Sequence, residues 1–267
     1  MSIWPYHTLG RPEQPPLLFL HGFLGCGADW LPLAGDLADQ FYCLMPDLPG
    51  HGRHLELPLD QPLHFQDIVL GLEHFLDELA LGQISLVGYS MGGRLALYTA
   101  VTLPERVRAL ALEGANPGLA EEQARRQRAS SDDGYAELLL TEGVDRFLDR
   151  WYNLELFSSL KGQPALLEEI KAGRRQNDPR WLAKIISELS PGRQPSLWER
   201  LENLSMPVLF MAGALDTKYT ALALDLTARL PQAEVALIPG AGHNTHLEQP
   251  ELFVRQLRTF LGSIPHD

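Results

Sequence analysis

Two cysteines in 267 residues, Cys26 and Cys43, provide no disulfide framework, and Cys43 sits inside an apolar run; a reducing compartment fits that usage. No apolar stretch approaches the length of a membrane span. Residues 1–10 hold Trp4, Pro5 and His7 but no basic start followed by an apolar core. No secretory signal is therefore read, and a cytoplasmic location is expected. Basic residues are outnumbered too: 22 Lys and Arg against 34 Asp and Glu give a formal charge of −12. Such a balance argues against nucleic acid or an anionic membrane as the main partner. Internal repeats, low-complexity tracts, metal-ligand spacing and a dinucleotide fingerprint are all missing, so neither a metal nor an organic cofactor is implied. What remains is a chain of 45% hydrophobic and 21% charged residues, long enough to bury a sizeable core in one large α/β domain or two average ones.

The most informative stretch is Ile84-Ser85-Leu86-Val87-Gly88-Tyr89-Ser90-Met91-Gly92-Gly93. A short apolar run predicts a buried strand, and Arg94 to Ala100 continues with helical composition. Ser90 then falls at the apex of a Gly-x-Ser-x-Gly turn, where Gly88 and Gly92 permit a bend too tight for a Cβ. Further strands are predicted at Leu17–Leu20, Phe41–Asp47, Arg108–Gly114, Pro207–Gly213 and Glu234–Pro239, with helices at Trp30–Ala38, from Phe65 to Leu79, at about Ala221–Leu230 and at Pro250–Leu261. Strands alternating with helices imply parallel pairing through right-handed crossovers. Between Gly114 and about Met206 the rhythm breaks into helical pieces rich in Arg, Glu and Leu. This predicts a core of residues 1–113 and 207–267 with a helical cap inserted at 114–206, over the carboxyl ends of the strands where open α/β sheets bind ligands.

A serine hydroxyl needs an imidazole to take its proton, and the imidazole needs a carboxylate to fix its tautomer. Ser90, Asp216 and His243 each follow a predicted strand, in the order Ser, Asp, His, and so fall at one sheet edge. Glu113 also ends a strand and is a rival for the acid, as His246 is for the base, although His246 is expected to face the first turn of the closing helix. Backbone N–H groups of Met91 and of Phe23, in His21-Gly22-Phe23, are expected to form an oxyanion hole; a plain glycine turn is the other reading of that loop. His51, between two glycines, reads as structural. Tyr89 either presents its phenol to the cleft or packs. Arg94, one helical turn beyond Ser90, either reaches an anion near the hydroxyl or lies on the surface.

The chain as a whole resembles an α/β-hydrolase-fold protein with a helical cap. More narrowly it is similar to the 2-succinyl-6-hydroxy-2,4-cyclohexadiene-1-carboxylate synthases of menaquinone biosynthesis. The segments that narrow it are Glu113-Gly114-Ala115-Asn116-Pro117-Gly118-Leu119, Arg126-Gln127-Arg128, Asp216-Thr217-Lys218 and Gly242-His243-Asn244. The resemblance implies a lyase that eliminates pyruvate from a small polycarboxylate after proton abstraction, without a cofactor. It also implies that Arg126, Trp151 and Arg174 line the substrate pocket, the register between Arg174 and Arg175 being open, and Tyr89 and Arg94 join them as candidates from their positions beside Ser90. Arginines concentrated in the cap of an acidic chain are consistent with an anionic substrate; a solvated helical face is the alternative. An ester or thioester hydrolase using the same three residues, and a non-catalytic binding protein on the same fold, are the competing functions.

Overall fold

The computed structural model describes residues 3–56, 58–230 and 232–264; the ends of the expected core, 1–2 and 265–267, lie outside them. Among the described residues seven strands form one sheet: β1 (Tyr6–Leu9), β2 (Pro16–Leu20), β3 (Tyr42–Pro46), β4 (Ile84–Tyr89), β5 (Val107–Glu113), β6 (Val208–Gly213) and β7 (Ala233–Ile238), in the order β1-β3-β2-β4-β5-β6-β7. All neighbours are parallel except β1, which runs antiparallel to β3. The predicted α/β-hydrolase architecture is therefore present, with β1 as an edge strand that the sequence pattern did not announce.

Alternation along each strand divides the core in two, because successive side chains point to opposite faces. Leu18, Leu20, Leu44, Leu86, Leu110 and Phe210 meet α2 (Phe65–Glu78), α3 (Met91–Thr102) and α7 (Thr217–Arg229) on one face. Leu17, Phe19, Cys43, Val87, Ala111 and Met211 meet α1 (Leu31–Leu37) and α9 (Pro250–Gly262) on the other. Burying such side chains at roughly 25 cal/mol per Å² of apolar surface is the main favourable term holding the layers together.

Between β5 and β6 the described residues contain no strand. They form α4 (Glu122–Trp151), α5 (Pro164–Arg174) and α6 (Pro179–Glu188), with a 3-10 segment, Glu155–Gly162, between the first two. The backbone of α4 is interrupted at Gly143, whose φ of 80° and ψ of −178° are not helical. This segment has its own apolar cluster, including Leu139, Phe147, Leu148, Leu160 and Leu182, which the fully buried Leu24 joins from outside 114–206. Among the described residues no helix is long and apolar enough to cross a membrane. A four-residue helix, α8 (Thr245–Glu248), precedes α9.

Candidate active site

Ser90 follows β4 with φ 50° and ψ −106°, a left-handed conformation that non-glycine residues adopt only when their surroundings impose it. Those surroundings are close-packed backbone. A Cβ on Gly88 would lie 2.5 Å from the Gly92 carbonyl oxygen, and one on Gly92 would lie 2.2 Å from that of Leu20. The Ser90 N–H is fixed by the Glu113 carbonyl at 2.8 Å. The hydroxyl stands at the start of α3, whose first N–H groups have no intrahelical acceptor.

His243, on the loop after β7, places Nε2 3.2 Å from Ser90 Oγ and Nδ1 2.9 Å from Asp216 Oδ2. A carboxylate only accepts, so Nδ1 carries the proton it donates to Asp216, and Nε2 is left to accept from the serine. The other Asp216 oxygen accepts from the Tyr219 N–H at 3.0 Å, capping α7. One carboxylate thus starts a helix and orients an imidazole, and neither oxygen is free to turn. Gly114 lies beside the ring: with φ +56°, its added Cβ would meet His243 Cε1 at 2.7 Å.

Glu113 is fully buried and serves a different histidine. Its carboxylate accepts from Thr245 Oγ1 at 2.7 Å, from the His246 N–H at 3.1 Å and from His246 Nδ1 at 3.0 Å. It is Asp216 that touches His243, while Glu113 anchors the loop carrying it. His246 is sandwiched between Trp30 and Tyr89, with ring centroids 4.7 and 4.6 Å away, and lies 6.1 Å from Phe253 near the start of α9. The Tyr89 hydroxyl donates to Asn244 Oδ1, and burial, then the charge of Glu113, push its pKa well above the ordinary phenol value.

Above Ser90 lies a cavity of about 570 Å³ lined by Phe23, Tyr89, Met91, Arg94, Arg128, Trp151, Arg174 and Lys218, among others. That size suits a small ligand. Arg94 is buried, and its Nη1 donates to the Leu189 carbonyl at 2.9 Å and to Gln194 Oε1 at 3.1 Å. It has no carboxylate partner among the described residues. Burial, with the neighbouring Arg128 charge, lowers its pKa to about 10. A buried cation facing neutral acceptors is incompletely compensated, and the cavity it lines favours an anion. Arg174 Nη1 pairs with Asp29 Oδ2 at 2.6 Å. Burial pulls its pKa down, and Asp29 and Tyr152 more than restore it. Arg175 points outward to Asp145 at 2.8 Å, so of the two it is Arg174 that lines the cavity. Trp151 stacks on Phe147 at 5.3 Å and meets the Phe23 ring edge-on at 5.5 Å.

One expected pocket residue is elsewhere. Arg126 is 74% exposed and pairs with Glu122 across one helical turn at 3.1 Å. Two residues advance an α-helix by about 200°, so the opposite face, bearing Arg128, meets the cavity. There Arg128 Nε donates to Asp132 Oδ2 at 2.8 Å. The Arg-Gln-Arg segment was the signal for both residues; the face was not readable from it. Asn244 stands in the Gly-His-Asn segment but carried no assigned role, and Asp29 had no sequence signal; both matter through the partners they meet, Tyr89 and Arg174.

A family model described as the alpha/beta hydrolase fold matches residues 15–250, and with the elbow and its histidine and aspartate in place the chain belongs to that family. Within it the chain belongs among the 2-succinyl-6-hydroxy-2,4-cyclohexadiene-1-carboxylate synthases. It is 36% identical over 264 residues to the synthase of that name from Salmonella typhimurium, covering 98% of this chain and 99% of the relative. It is 33% identical to the chloroplastic protein PHYLLO of Arabidopsis thaliana, covering 96% of this chain but only 16% of that much longer relative. The structure of MenH from S. aureus superposes with a TM-score of 0.92 at 31% identity, over 98% of both chains.

Proposed function

We propose that this enzyme eliminates pyruvate from 2-succinyl-5-enolpyruvyl-6-hydroxy-3-cyclohexene-1-carboxylate, giving 2-succinyl-6-hydroxy-2,4-cyclohexadiene-1-carboxylate for menaquinone biosynthesis. The observation that carries this reading is a Ser90–His243–Asp216 relay at the base of a cavity whose walls bring up Arg94, Arg128 and Arg174. In this scheme His243 takes the Ser90 proton, and Asp216 stabilises the resulting imidazolium. The serine oxygen then abstracts the proton alpha to the succinyl carbonyl. Met91 and Phe23 N–H groups hold the enolate oxygen, where preorganised donors act with full strength in a dry site. As the enolate collapses, a double bond forms between C2 and C3, the existing C3–C4 double bond moves to C4–C5, the C5–oxygen bond to the enolpyruvyl group breaks, and protonation of the released enolpyruvate at carbon gives pyruvate. Water is not consumed. Residues 114–206 act as the cap that supplies Arg128, Arg174 and Trp151 to the polycarboxylate.

The test is pyruvate release from the enolpyruvyl precursor. Ser90→Ala should fall to the solvent background while retaining the native circular dichroism spectrum. Folded native protein turning over no faster than background would refute the lyase. Rapid cleavage of short activated esters with an acyl group trapped on Ser90 would move the assignment to a hydrolase.

A further inference from the structure

Leu24, one residue beyond the proposed oxyanion donor Phe23, has φ +73°. A left-handed backbone is disfavoured for any residue with a Cβ, yet here Leu occupies it, although Gly22 and Gly25 lie on either side. Its side chain is 1% exposed and belongs to the apolar cluster of the 114–206 segment rather than to the sheet core. Both of its backbone polar groups are held. The N–H donates to His51 Nε2 at 3.3 Å, and the carbonyl accepts from Asn177 Nδ2 at 2.9 Å. Asn177 lies in the turn between α5 and α6, and the same amide nitrogen donates to the Arg174 carbonyl at 3.0 Å, so the amide is fixed from its own side. The Phe23 ring, for its part, meets Phe147 and Trp151 of α4 edge-on. The loop bearing the proposed donor is therefore held in a disfavoured conformation by His51 at the Leu24 N–H and, at the carbonyl and the Phe23 ring, by groups from the inserted segment.

We infer that Asn177 is a positioning residue: by clamping the Leu24 carbonyl it maintains the left-handed turn that aims the Phe23 N–H into the cavity. This rests on the reading of Phe23 as an oxyanion donor. Because preorganised donors act only if they stand where negative charge develops, loss of the clamp reduces the chemical step more than substrate binding.

Asn177→Ala, and the equal-sized Asn177→Asp that sets a carboxylate oxygen against the Leu24 carbonyl, should each lower kcat for pyruvate release about tenfold, with KM within about threefold of native. Leu24→Gly removes the left-handed penalty, so adding Asn177→Ala to it should cost less than half, on a logarithmic scale, of what it costs in the native chain. An alkyl boronic acid gives a readout independent of turnover. Its boron bonds to Ser90 Oγ, the serine proton passes to His243, and an oxygen of the tetrahedral adduct enters the oxyanion position. Its Kd should rise about tenfold in Asn177→Ala. A native kcat and boronate Kd in both Asn177 variants, a rise in KM alone, or strictly additive losses in the double variant would overturn the inference. A boronate affinity that depends on Asn177 in a native protein that releases no pyruvate would instead overturn the lyase reading and leave the clamp standing. Should Asn177→Ala not fold, Asn177→Asp and its combination with Leu24→Gly carry the same comparison.

Discussion

Arg126 and Arg128 are separated by one glutamine and by most of the width of a helix. The first is solvated beside Glu122; the second lines the cavity. Removing a charge-assisted contact to a bound carboxylate costs about 1.5–3 kcal/mol, equivalent to roughly 10–100-fold in affinity. Steady-state kinetics should accordingly show Arg128→Ala raising KM by at least about tenfold and Arg126→Ala leaving it within about twofold. The reverse ranking would place the ligand on the wrong side of α4. This pair also shows what sequence can reveal at the residue scale. Ser90, Asp216 and His243 were readable because strand ends of a parallel sheet share an edge, so their order and type already implied proximity. Arg126 was misplaced because a matched segment identifies a stretch of helix, while the direction of each side chain depends on where that helix begins and what it packs on. Arg174 and Arg175 posed the same ambiguity, resolved only by the carboxylates waiting on either side.

For whole elements, periodicity gave the central strands and the amphipathic α2, since burial on one stripe writes itself into the spacing of apolar residues. Boundaries set by side-chain caps were harder to see. α7 begins at Thr217, four residues before the expected start, because Asp216 accepts the Tyr219 N–H and permits the extra turn. β1, only four residues long, exists through its pairing with β3, and a short edge strand leaves little periodic trace. The joint between α4 and the turn after α6 depends on Asp132, 1% exposed, which accepts from Arg128 Nε and, at 2.6 Å, from Ser190 Oγ. Asp132→Ala leaves Ser190 without its acceptor in a buried site and Arg128 without its carboxylate, a cost of about 1–3 kcal/mol. Differential scanning calorimetry should register a Tm lower by roughly 2–10 °C. An unchanged Tm would show that this joint contributes nothing to holding the helices together.

Across the whole molecule, two buried imidazoles link stability to pH. His21 Nε2 accepts from the Leu48 N–H at 3.0 Å and His51 Nε2 from the Leu24 N–H. Burial holds the pKa of both below the ordinary histidine value, and a protonated ring could accept neither bond. In the unfolded chain these rings take up protons near pH 6.5, whereas the folded ones resist, so acidification below that point favours unfolding. Urea denaturation should give a lower midpoint at pH 5.5 than at pH 7.5, and His51→Gln should flatten the difference. Equal midpoints would mean that neither ring is kept neutral by the fold.

The Leu24 carbonyl bond to Asn177 bears on how such enzymes diversify. The sheet supplies serine, histidine and aspartate from its own strand ends, so exchanging the helices between β5 and β6 for a foreign insertion should leave all three in place. A graft chosen only for the shape of its new pocket would nevertheless deprive the residue beside Phe23 of its tether. Recombinants of this kind should divide into those that bring a donor to that oxygen and turn over their new ligand, and those that bind it without converting it.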